Sequence, residues 1–235
     1  MGKKIIYIIV CIVFITGCTN IKDTETKQTN NIENLKKYDL IISNLETSTG
    51  EIQLKAGPLN ELKDIYNRIA ISYNGIVKLY DWQSTTNETY KPLIYYEDIN
   101  NDSIKEIIIN TTLGYGTGLY INKIHVLNSF NLNEYEIENI NDYINANITT
   151  KINDVLTISI KDKTQVVNID NFKNDISLYK KASFENYITY EIKNSKLNAI
   201  VAVQISDIEF CGNLVFEYDF IDNSFVISNV YYINE

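Results

Sequence analysis

The chain has 235 residues, 45% of them apolar and 22% charged, with a formal net charge of −9 at pH 7. That length supports one domain with a substantial core, or two small ones packed together. The acidity suits neither a nucleic-acid backbone nor anionic lipid headgroups, so nucleic acid is excluded as a partner and any membrane attachment has another source.

Ile, Asn, Lys and Tyr are abundant, beside a single Arg (Arg68), His (His125) and Trp (Trp82). This bias implies an AT-rich coding sequence and a low-GC Gram-positive source. Lys3 and Lys4 precede an unbroken apolar run over residues 5–15, and Ile15-Thr16-Gly17-Cys18 follows. The run is too short to cross a bilayer core of ~30 Å as a helix, which needs about 20 residues. It has the length of a signal-peptide hydrophobic region. The segment resembles the lipobox of bacterial lipoproteins, with Ile15 and Thr16 where Leu and Ala or Ser are commoner. The resemblance implies cleavage before Cys18, thioether lipidation of Cys18 and acylation of the new amino group. Two or three acyl chains, at about 0.8 kcal/mol per buried methylene, make attachment effectively permanent. The plainer alternative is an ordinary secretory signal, or an uncleaved anchor, with Cys18 incidental.

Residues 1–17 are therefore expected to be the signal, and residues 18–36 the lipidated Cys18 with a flexible tether. The polar stretch at 19–34 cannot bury enough surface to fold. Residues 37–235 form the expected β-rich globular domain, held on the extracytoplasmic face of the cell membrane. Cys11 leaves with the signal, so Cys211 has no disulfide partner and is expected to be buried.

Pro58 opens a helix-period pattern in which Leu59, Leu62, Ile65, Tyr66 and Ile69 recur, and Asn74-Gly75 closes it. Residues 38–45 admit helix or strand. From residue 76 onward the pattern is β. Residues 76–82, 93–96, 106–111 and 121–127 are β-branched or aromatic runs divided by turn residues. The same holds for 155–160, 165–169, 187–192, 197–205, 214–220 and 225–232. Asn194-Ser195 and Asp222-Asn223-Ser224 read as hairpin turns. The expected fold is mainly β (α+β), an antiparallel sheet or sandwich-like domain with one or two N-terminal helices.

One stretch carries metal chemistry. Asp98, Asn100, Asp102 and Glu106 place side-chain oxygens at loop positions 1, 3, 5 and 9, and Ile104 at position 7 offers a carbonyl. Calcium takes about six to eight such oxygens at ~2.3–2.6 Å. Ile109 at position 12 excludes an EF-hand, which needs an acid there. The stretch resembles the Asp-x-Asn-x-Asp-Gly-x-x-Glu loops of FG-GAP and VCBS-type repeats, found in integrin-like β-propellers. That resemblance makes Asp98, Asn100, Asp102 and Glu106 the side-chain ligands of calcium. It covers about 15 residues and occurs once, so it extends to the loop and not to the propeller fold. Ser103 stands where the family has Gly, and a left-handed backbone there costs roughly 1–2 kcal/mol. The other reading of these residues is a polar turn whose Asp and Asn side chains cap backbone amides.

Gly114-Tyr115-Gly116-Thr117-Gly118 is expected to be a hairpin connection, because a dinucleotide fingerprint needs Gly at position 119, where Leu119 stands. His125 has no second His or clustered Cys with which to build a usual zinc site. Trp82, Tyr95, Tyr96, Tyr115 and Tyr120 are candidates for a sugar- or peptide-binding face, though the same rings suit half-buried strand faces. The expected function is a membrane-anchored, non-enzymatic binding or envelope-associated module with a calcium loop, its partner an envelope protein or a glycan. The alternative is a carboxylate-based hydrolase of cell-wall or extracellular glycan, marked by two facing carboxyls about 5–10 Å apart in a cleft.

Overall fold

Strands begin earlier in the chain than the sequence pattern suggests. The computed structural model describes residues 38–172 and 177–234, so the expected signal, Cys18 and the tether lie outside the described residues. The first strands are β1 (Ile41–Thr47), β2 (Gly50–Ala56), β3 (Ile65–Tyr66), β4 (Ile69–Tyr73), β5 (Ile76–Tyr80) and β6 (Ser84–Thr85). An antiparallel sheet runs in the order β1-β2-β4-β5, and β3 pairs with β6. In β2, Ile52, Leu54 and Ala56 are buried while Gln53 and Lys55 are not, the period of two that a half-covered strand requires.

The helix expected from Pro58 is not formed; the segment is a hairpin instead. Leu59 bridges Tyr66, and the Asn67 amide donates to the Pro58 carbonyl at 2.9 Å. Asn60 Oδ1 accepts from the amides of Asp64 and Ile65 at 3.1 and 3.2 Å, a competitor to helical bonding. Leu62, central to the expected apolar stripe, is 81% exposed, so the stripe has no core to meet. Asn74 and Gly75, at φ +48° and +78°, form the two-residue turn between β4 and β5 rather than a helix end.

The chain continues through β7 (Leu93–Glu97), β8 (Glu106–Gly116), β9 (Leu119–Leu127), β10 (Glu136–Ile137) and the helix α1 (Ile140–Asn147). The next three strands are β11 (Ile148–Ile152), β12 (Val155–Ile160) and β13 (Lys163–Asn168). The last four are β14 (Tyr187–Lys193), β15 (Lys196–Gln204), β16 (Phe210–Ile221) and β17 (Ser224–Ile233). The N-terminal helices of the sequence reading are thus corrected to one mid-chain helix, α1, among the described residues. Asn139 caps it, accepting from the amides of Asn141 and Asp142 at 2.8 and 3.2 Å, and Ile140, Tyr143 and Ile144 bury one face.

The fold is mainly β. Its largest sheet has the order β10-β17-β16-β15-β14-β9-β8-β7, antiparallel except for β10 with β17 and β9 with β14. The expected turns at Asn194-Ser195 and Asp222-Asn223 are present, all four residues at positive φ. Glu106 to Thr112 of β8 are buried without interruption. Ile107 and Ile109 join a core with Ile52, Leu54 and Ile71 of the first sheet. Ile108 joins a larger core with α1, β11 and β12. Neighbouring residues of a strand point to opposite faces, so β8 is covered on both. No helix among the described residues is long and apolar enough to cross a membrane.

Candidate functional site

The β7–β8 connection is the oxygen-rich loop. Glu97 pairs with Glu106 at its base, and the Glu106 carboxylate, 1% exposed, accepts from the Ile99 amide at 3.0 Å to close the loop. Asp98 accepts from the amides of Asn101 and Ser103 at 2.8 and 3.0 Å. Asn100 Oδ1 accepts from the Asp102 amide at 3.0 Å, and Asp102 Oδ1 from the Ile104 amide at 2.7 Å. These are the amide caps of a polar turn. Ser103 lies at φ +69°, so it holds the left-handed backbone for which the resembled loops use Gly. The donors are oxygen throughout, which suits calcium. Among the described residues, however, no group of three or more His, Cys, Asp or Glu side chains is spaced to hold a metal ion.

Burial pushes the Glu106 carboxyl up to about 7, the charges of Asp102 and Asp98 adding to it while the Ile99 amide opposes. The folded value lies above the ordinary 4.5, so the native state binds the extra proton between these limits. Stability from this group is therefore greatest at low pH and is lost as pH rises from about 4.5 to 7. A shift of this size is on the order of 3 kcal/mol.

The aromatic candidates separate. Trp82, 5% exposed, is stacked between Tyr80 and His125 at centroid distances of 4.1 and 3.8 Å. Its Nε1 donates to Glu134 at 3.1 Å, and the same carboxylate accepts a hydrogen bond from His125 Nδ1 at 2.7 Å. Burial lowers the His125 pKa despite Glu134, so at neutral pH the ring is uncharged and structural. Tyr95 packs against the large core, whereas Tyr96 packs against the small one, where its hydroxyl accepts from Tyr73 at 3.2 Å. Cys211 is buried as expected, its thiol pushed up to about 11 by desolvation.

Tyr115 and Tyr120 do come together. The Gly114–Gly118 stretch is the β8–β9 hairpin, with Gly116 paired to Leu119, and it carries both rings. Tyr90, in the short turn before β7, stacks on Tyr115 at 4.4 Å and meets Tyr120 at 5.8 Å; Tyr120 meets Tyr187 of β14 at 5.7 Å. Beside them is a groove of about 500 Å3 lined by Tyr120, Tyr187, Phe210, Ile200, Thr189 and Asn213 among others. None of its lining residues carries a charge. Sequence proximity does not reveal Tyr187 or Phe210, which are far along the chain and reach the groove through the β9–β14, β14–β15 and β15–β16 pairings.

No protein-family model matches the chain, and no curated protein or solved structure is significantly similar to it.

Replacing Glu106 with Gln tests the electrostatics of the loop. Gln keeps the oxygen that accepts from Ile99 and cannot ionise. In chelator the variant should be more stable than the parent by up to about 3 kcal/mol at pH 8, and the gap should close by pH 4. A gap that does not vary with pH in urea unfolding would rule out a perturbed Glu106.

Proposed function

We propose that the protein is a lipid-anchored, extracytoplasmic binding module that holds a neutral glycan in the tyrosine groove, its oxygen-rich loop occupied by calcium. The groove carries the ligand half of this reading. Its flat aromatic walls offer apolar rings to the faces of a sugar, and Thr189 and Asn213 offer uncharged hydrogen-bonding groups to its hydroxyls. The absence of charge on the lining favours a neutral ligand over an acidic polymer. Dye-labelled oligomers of N-acetylglucosamine, a neutral wall-type sugar, are the probe. Tyr120→Ala should weaken their binding by about tenfold, since this half-buried ring touches both Tyr90 and Tyr187 and is the shared centre of the cluster. Sugar binding equal in parent and variant would sink the groove as the site.

The anchor rests on the run at residues 5–15 and the Ile15-Thr16-Gly17-Cys18 sequence behind it. Cys18→Ala should release the protein from the membrane fraction or block its maturation. Unchanged processing and attachment would remove the lipid from the account and leave the groove untouched.

Calcium is assigned to Asp98, Asn100, Asp102, Glu106 and the Ile104 carbonyl on three supports. These are the alternating oxygens, the left-handed Ser103 and a buried acid beside two further acids. When bound, the ion supplies the positive charge that this cluster lacks and lowers the Glu106 pKa. Extracellular calcium at about millimolar concentration suffices for a weak site. The melting midpoint of the full chain at pH 8 should rise with millimolar calcium over chelator, and the rise should shrink in Glu106→Gln. Identical midpoints in calcium and chelator would exclude the ion.

A further inference from the structure

A second site lies where the large sheet opens. β9 and β14 run parallel and pair only through Tyr120 and Ile121 against Tyr187 and Ile188. Beyond that point β14 pairs with β15 on its other edge. On its β14 side, β9 is next closed by Tyr135, whose amide donates to the Val126 carbonyl at 2.9 Å, and by the Leu127–Glu134 bridge. Residues 121–124 of β9 and Ile188 and Tyr190 of β14 therefore border one gap, with no strand pairing across it past Ile121 and Ile188 among the described residues.

The gap is a cavity of about 530 Å3. Ile121, Ile124 and Ile188 line it with apolar surface, and Asn122 and Tyr190 stand among them. Asn122 is 5% exposed, and its Oδ1 is buried with no hydrogen-bond partner. Glu134, Glu136 and Glu138 line the same cavity, against Lys123 as its one basic residue. Glu134 is engaged by His125 and Trp82, and Glu138 accepts from the Ile227 amide at 2.7 Å. Glu136 is exposed and holds no hydrogen bond of this kind.

We propose that this gap docks a short, extended, basic peptide segment, which enters as an added strand between β9 and β14. Unpaired strand edges call for donors and acceptors alternating along a line, and an extended backbone supplies them at the right repeat. Four residues of β9 at ~3.3 Å each span about 13 Å, the length of a tetrapeptide. The amides of the segment meet the unpartnered Asn122 oxygen as well as the strand edges. The excess of glutamate over lysine on the lining selects basic side chains. The tyrosine groove adjoins this gap at Tyr120, whose hydroxyl accepts from Asn122 Nδ2 at 3.4 Å, and the two readings are told apart at Glu136, which lines the gap and not the groove.

The test uses the full chain and two end-blocked, dye-labelled tetrapeptides, one alternating lysine with valine and the other glutamate with valine. The lysine peptide should bind about tenfold tighter or more, and Glu136→Lys should remove most of that preference. Hydrogen exchange at the amides of Asn122, Ile124 and Tyr190, which border the gap, should slow when the lysine peptide saturates the protein. Three results overturn the proposal: no saturable binding at millimolar peptide, equal binding of the two peptides, or binding that leaves exchange at those amides unchanged.

Discussion

The structure depends on one strand being buried from both sides. Three successive isoleucines of β8, Ile107, Ile108 and Ile109, are fully buried and feed two different cores. In an antiparallel sheet one face is commonly solvated, so such a strand needs a layer over each face. The first sheet provides one layer, and α1 with the β11–β13 sheet provides the other. Removing either layer would leave alternate isoleucines in water, at a cost of roughly 1.5–3 kcal/mol for each side chain exposed.

That arrangement also positions the chemistry, because all three candidate surfaces lie along the β8–β9 hairpin. The oxygen-rich loop enters β8 and ends at Glu106, which the closed layers bury. The tyrosine cluster sits at the hairpin tip, where Tyr115 and Tyr120 face each other across the paired strands. The gap toward β14 lies on the outer edge of β9. A hairpin clamped by two cores is a stiff support, and binding groups on a stiff support lose little freedom when a ligand arrives.

Four buried polar atoms go unpaired among the described residues, three of them on β8 and β9 and one on β6. Ser84 Oγ, Asn110 Oδ1, Asn122 Oδ1 and His125 Nε2 are buried without a hydrogen-bond partner. Each such atom costs about 1–3 kcal/mol. Glu134 offsets part of this cost by receiving both Trp82 and His125, and the stacked Tyr80–Trp82–His125 column fills the space around it. The burial that makes β8 a support thus also raises Glu106 and keeps His125 neutral.

Local information settled a good part of this protein. The turns at Asn194-Ser195 and Asp222-Asn223, the glycine-rich hairpin, the longer strands after residue 76 other than β11, and the caps within the Asp98–Glu106 loop all follow from backbone preferences of a few neighbouring residues. Tertiary structure decided the rest. Leu59, Leu62 and Ile65 carry a helical period, yet Asn60 captures the amides and no core lies against Leu62, so a hairpin forms. The helix α1 rests on Asn139 and on three buried side chains, which its asparagine-rich sequence does not advertise. Which tyrosines meet, and that β9 and β14 pair for only two residues before parting, depends on contacts between segments some 65 residues apart. A chain encodes local dihedral preferences within a few residues, whereas non-local pairing is selected by the burial that the whole fold achieves together.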